Sequence, residues 1–203
     1  VPGGRLLVLD GLSPDGKLRQ LLPQPPLHGS FWRPDLSFDA RRVLVCFKPH
    51  NEKSFHLYEM NVDGTGLRQL TDGPFDDLDP IYLPDERHLI FSTTRGNTYV
   101  RCMPPTSAYV LARCDRTGGN IYLISANNEP DYLPSVMNDG RLVYTRWEYT
   151  DKPLWRAQKL WTVHPDGTQV STLWGNQSVW PDLLKDARSI PGSRRVMFTG
   201  SAH

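Results

Sequence analysis

The chain has 203 residues, 38% of them hydrophobic and 22% charged, enough apolar content to bury the core of one domain. Its 23 basic and 22 acidic side chains leave a net charge of +1, which argues against a nucleic-acid partner or a polybasic membrane surface, because phosphate binding needs concentrated positive charge. No apolar run reaches the roughly 20 residues of a membrane-crossing helix, and 16 glycines with 18 prolines favour many short strands joined by turns.

The chain opens Val1-Pro2-Gly3-Gly4, without Met or an apolar leader, and is expected to be a piece of a longer protein. Residues 5–10 read as a strand, Ser13-Pro14-Asp15-Gly16 as a turn, and residues 17–22 as a second strand, after which Pro23, Pro25 and Pro26 break the pattern. Strands are expected at 31–34, 42–47 and 56–60, with Cys46 a small buried hydrophobe. Asn61-Val62-Asp63-Gly64 forms a tight turn in which glycine supplies a positive φ. Residues 67–70 then alternate with the two-residue period of a strand, ended by Asp72-Gly73-Pro74. Strands at 81–83 and 88–92 flank the turn Pro84-Asp85-Glu86. A long loop, 93–107, leads to strands at 109–114 and 120–125 around Asp115-Arg116-Thr117-Gly118-Gly119. Residues 131–134, 141–146, 159–163 and 169–174 follow, with turns at Asn138-Asp139-Gly140 and Pro165-Asp166-Gly167. Val179-Trp180-Pro181-Asp182 and residues 195–199 supply the last two strands, and only residues 183–189 suggest a turn or two of helix.

The spacing is that of a repeat. Asp15, Asp63, Asp115 and Asp166 are 48, 52 and 51 residues apart, and Pro34, Pro80, Pro134 and Pro181 are 46, 54 and 47 apart. About four strands per copy at a period near fifty is what a β-propeller blade requires, whereas a β-sandwich does not repeat its turn chemistry at fixed intervals. The fold expected is all-β, a single β-propeller domain or fragment over 1–203 with blade parts 1–27, 28–73, 74–126, 127–175 and 176–203. About four blade repeats are visible, closed in a ring or forming an arc of a larger propeller. The segments 5–22 and 179–200 are expected to complete one blade jointly.

The stretch DGTGLRQLTDGPFDDLDPIYLPD resembles the TolB-type, WD-like propeller repeat, with Asp63-Gly64, Leu70-Thr71, Asp79, Pro80, Pro84-Asp85, Ile90 and Phe91 in its characteristic slots. Glu86 stands where that repeat usually has glycine, and Leu83 where it has serine. More narrowly, Arg101-Cys102-Met103-Pro104-Pro105, Tyr109 through Asp115, and the ending Met197 through His203 are similar to the propeller of hydrazine synthase alpha-subunit-like bacterial proteins. That resemblance implies a periplasmic or extracellular location and a family whose characterised member carries c-type haem and a zinc ion. The chain has no CxxCH, so no covalent haem motif lies in this segment, and zinc is the candidate metal.

In a propeller of this strand order, the loops from each outer strand to the next blade and those between second and third strands share one face. That rim gives the candidate ligand-binding residues Asp77, Asp79, Arg101, Asp131, Trp147, Glu148, Tyr149 and Trp180. Cys102 in its loop, with His203 and in one version Cys114, forms the candidate metal set. Each has a plainer reading. Asp76, Asp77 and Asp79 are turn carboxylates that cap backbone N–H groups; Cys102 anchors a loop; Trp147, Tyr149 and Trp155 merely pack one; His50 and His56 are exposed, and His88 and His164 solvated. Trp161 and Trp174 are expected between blades. No GxSxG, P-loop, HExxH or GxGxxG occurs, so no catalytic constellation is visible. The function expected is a binding module that presents one loop face to a small ligand, a protein partner or other domains of the parent chain. The alternative is a metal- or haem-associated redox domain of the hydrazine-synthase-like kind.

Overall fold

The computed structural model describes residues 4–21, 28–101, 105–149, 158–175, 177–178 and 180–202. They form sixteen strands: β1 (Leu7–Asp10), β2 (Lys17–Gln20), β3 (Gly29–Leu36), β4 (Arg42–Pro49), β5 (His56–Asn61), β6 (Arg68–Gln69), β7 (Asp77–Tyr82), β8 (His88–Thr93), β9 (Val110–Asp115), β10 (Tyr122–Leu123), β11 (Asp131–Val136), β12 (Leu142–Trp147), β13 (Gln158–Val163), β14 (Ser171–Trp174), β15 (Leu183–Ser189) and β16 (Val196–Ser201). No helix occurs among the described residues. Three complete antiparallel meanders follow one another, β3–β6, β7–β10 and β11–β14, each an up-and-down run of four strands. A half-blade stands at each end. β1 and β2 pair only with each other, and β15 pairs with β16 while touching β13 through one parallel pair, Gln158 with Leu183. Hydrogen bonding between the two half-blades, as a jointly completed blade requires, is not among the pairings of the described residues.

Blades stack because every middle strand is apolar on both faces. In β4, Leu44 and Cys46 point to one neighbour and pack with Leu57, Tyr82, Leu89, Phe91, Ala112 and Cys114. The alternate residues Val43 and Val45 point the other way and join Leu6, Val8, Leu21 and Met60. β8 repeats the division, with Leu89 and Phe91 in the first cluster and Ile90 in the next, beside Leu111, Ile124, Leu142, Tyr144 and Val163. Val143 and Leu160 complete the series against Leu184, Ala187 and Phe198 of the last half-blade. A two-residue period with both faces buried lets each sheet share one core with each neighbour. Cys46 is fully buried, as expected from its strand.

Two expectations fail at the C-terminal end. Residues 183–189 form strand β15 instead of helix, with burial alternating between Leu184 and Ala187 across a bulge, so contact with the third blade decides the conformation. For the same reason, Pro181 is not the fourth member of the proline series. The inner strands β3, β7, β11 and β15 each bulge at one place, between Trp32 and Asp35, Leu78 and Ile81, Tyr132 and Ser135, and Lys185 and Arg188. The bulge pairs are Arg33-Pro34, Asp79-Pro80, Leu133-Pro134 and Asp186-Ala187, so Ala187 holds the fourth slot. The first residue of each pair has positive φ, 40°, 50°, 56° and 55° in turn.

Candidate functional site

The four bulges surround a cavity of about 600 Å³. Its wall contains the residues at and before each bulge, Trp32-Arg33, Leu78-Asp79, Tyr132-Leu133 and Lys185-Asp186, closed by Tyr109, Pro130, Trp147, Gln158 and Leu183. Each bulge interrupts the ladder at this point, with proline after the positive-φ residue in three blades and alanine in the fourth, and the wall residues come from the interruption and its flank.

Asp79 is the hub. Its carboxylate accepts the Trp32 indole N–H at 2.9 Å, the Ser92 hydroxyl at 3.2 Å and the Leu133 backbone N–H at 3.2 Å, and Arg33 Nε lies 3.5 Å away. One buried side chain thereby joins three blades. Arg33 also reaches across to ion-pair with Asp186 through direct Nη1–Oδ1 contact. The Tyr132 hydroxyl donates to Gln158 Oε1. Burial, then the Asp79 and Asp186 charges, push the Tyr132 phenol above its ordinary range, so it remains a donor. Tyr109 is raised likewise, by burial and then by Asp76, to which its hydroxyl donates at 3.4 Å.

The sequence-derived candidates divide. Asp79 and Trp147 line the cavity. Asp77 and Asp131, at matching starts of β7 and β11, are fully buried in ion pairs. Arg95 Nη2 meets Asp77 at 2.8 Å and Thr93 donates to it at 2.6 Å, while Arg146 grips Asp131 with two bonds of 2.8 Å. Burial alone raises the Asp77 carboxyl, yet His56, Arg95 and Thr93 together outweigh it and hold the group below its ordinary value. His56 Nδ1, 3.9 Å away, is too distant for a direct hydrogen bond. Arg101 and Tyr149 meet outside the cavity, the guanidinium 5.2 Å from the ring centre, and the Arg101 N–H donates to Glu129 at 3.1 Å. Trp180 is 63% exposed; neither it nor Glu148 is among the cavity-lining residues. Cys102 and His203 lie outside the described residues, as does Trp155. No group of three metal-ligating side chains occurs among the described residues. Cys114 is core, packed against Leu89 and Phe91, and burial pushes its thiol up to about 12, which does not suit a ligand.

The plainer readings also divide. Asp76 does cap a backbone N–H, that of Phe55 at 2.8 Å, and Asp79 caps that of Leu133; Asp77 binds side chains instead. His50 is exposed, but His56 is buried beside Asp77 because its strand faces a neighbouring blade. His88 pairs with Asp85 at 2.6 Å. Trp161 packs between blades, whereas Trp174 is 44% exposed with its ring against Phe198. Trp32, Arg33, Lys185 and Asp186 complete the wall without a motif of their own; the X-Pro slots at Arg33, Asp79 and Leu133 are the signal in the sequence, and the fourth slot lacks it because Ala187 stands in place of proline.

No protein-family model matches the chain, and no curated protein does. Solved structures do. Hydrazine synthase from Kuenenia stuttgartiensis superposes with a TM-score of 0.79 at 18% identity, over 93% of this chain and 31% of that one. The putative TolB from Agrobacterium tumefaciens gives 0.61 at 21% identity, over 78% and 53%, and a chain of a nidogen/laminin complex gives 0.61 at 13%, over 92% and 61%. These likenesses establish the class: the chain has an all-β, β-propeller fold. Within that class its fold is similar to those of TolB and hydrazine synthase, and it spans about half the length of the first and under a third of the second.

Proposed function

We propose that this chain is a propeller binding module that receives a small ligand, or a side chain of a protein partner, in the cavity among β3, β7, β11 and β15. The supporting observation is the cavity itself: about 600 Å³, walled by Trp32, Tyr109, Tyr132 and Trp147, with charged groups at the inner-strand bulges. Arg101, Glu148, Tyr149 and Trp180 belong to the outer rim in this reading, where a partner or another domain of the parent chain rests. Asp77 and Asp131 set the inner strands that form the wall. The nidogen likeness, from a complex with laminin, is consistent with a protein partner. The likeness to TolB goes with an extracytoplasmic location.

Nile red, a neutral apolar dye, tests the cavity without favouring any charge. One saturable site per chain is expected, abolished by Leu183→Trp, which fills the space, with the far-UV spectrum unchanged. Dye binding that survives Leu183→Trp in the folded protein would sink the reading. The redox alternative goes with the hydrazine synthase likeness and the Cys102 loop; stoichiometric zinc in purified protein, lost in Cys102→Ala, is the result that would favour it.

A further inference from the structure

Of the four charged side chains in the cavity wall, three are engaged with one another. Arg33 serves both Asp79 and Asp186, and Asp79 is further satisfied by Trp32, Ser92 and the Leu133 N–H. Lys185 is the fourth. It lines the same space, and among the described residues its ammonium has no hydrogen-bond or ion-pair partner. An ammonium with three unused donors in a largely apolar wall attracts an anion more strongly than it does in water.

Trp32 supplies the second half of the recognition. Its indole N–H is tied to Asp79 at 2.9 Å, which fixes the ring, while the side chain remains 51% exposed. A ring already held in place stacks on a ligand without a further ordering cost. Resting on the binding-module reading above, we propose that the cavity takes a flat aromatic acid, its ring against Trp32 and its carboxylate on the Lys185 ammonium. Arg33 is unsuited to the carboxylate because its guanidinium already bridges two others. The Asp79–Arg33–Asp186 chain carries one net negative charge and faces the ligand's apolar body, so a cationic ligand gains no unpaired carboxylate of comparable freedom.

Calorimetric titration of the full chain with 2-naphthoate, 2-naphthamide and 2-naphthylmethylammonium tests this. The three share a ring system and differ in charge. The acid is expected to bind at least about tenfold more tightly than the amide, the return on one charge-assisted hydrogen bond. Lys185→Gln should bring the acid down to the amide and leave the amide unchanged, and Lys185→Arg should restore the preference. Trp32→Ala should weaken all three. An acid that binds no better than the amide, or an ammonium that binds best, overturns the proposal while Nile red binding keeps the cavity reading standing. No binding by any of the three overturns the proposal, and with no Nile red binding the cavity reading falls as well. A Lys185→Gln chain that keeps the acid preference with a native spectrum also overturns it.

Discussion

Asp79 shows how one residue serves several elements. A turn carboxylate was legible from Asp76-Asp77-Leu78-Asp79-Pro80, but the sequence held no sign that Trp32 and Leu133, 47 and 54 residues away, would converge on it. Replacing it with alanine leaves the Leu133 N–H and the Arg33 guanidinium without their shared acceptor. Asp79→Ala is expected to cost about 3 kcal/mol in urea unfolding, against about 1 kcal/mol for Ser92→Ala, which removes one donor. The Asp77–Arg95 pair gives a pH signature. The Asp77 carboxyl is lowered in the folded chain, so its contribution is present above about pH 4 and lost as acid protonates it. Asp77→Asn should therefore be less stable than the native chain at pH 7, by about 2 kcal/mol, with the gap closing below pH 4 in parallel denaturation series.

At the scale of the element, the repeated turns were the most legible feature, because each satisfies itself locally. Asp63 and Asp166 accept both the hydroxyl and the N–H of the threonine two residues on, at 2.7 and 2.9 Å in each case. Asp39, Asp85 and Asp139 accept the N–H of Arg41, Arg87 and Arg141 in the same way. At Glu86, where the repeat usually has glycine, the side chain finds a distant partner. Glu86 holds a φ of 52°, and its carboxylate accepts the Asp39 N–H at 2.9 Å and Arg42 at 3.3 Å, tying the second blade to the first. Glu86→Ala keeps the strain and loses the tie, so it should destabilise by about 1 kcal/mol more than Glu86→Gly, measured by thermal unfolding. Gly118 is tighter still: at a φ of 89°, an added Cβ would lie 1.9 Å from the Leu70 carbonyl of the preceding blade. Gly118→Ala should lower the unfolding midpoint by several degrees. Strand β15 was illegible for the converse reason. Its burial pattern comes from contact with the neighbouring blade, and local periodicity over 183–189 favours helix as readily.

Across the whole molecule, stability is distributed between neighbours rather than gathered in one centre, since four apolar clusters lie one per junction. The end junctions are the weaker. β1 and β2 leave Leu7, Leu9 and Leu18 more than 40% exposed, while β8 and β9 at the centre are almost wholly buried. Hydrogen exchange should therefore be fastest in β1, β2 and β16 and slowest in β8 and β9. The architecture was legible at this scale because the period is a property of the chain as a whole. The cavity was not, because it is formed by residues about fifty positions apart with no common side chain: arginine, aspartate, leucine and aspartate at the four positive-φ slots. Lys185 flanks the last slot without a partner among the described residues, whereas Asp79 in the second slot ties three blades together. Selectivity can then be rewritten at Lys185 by substitution while the scaffold that Asp79 holds is inherited intact, much as interchangeable bits fit one handle.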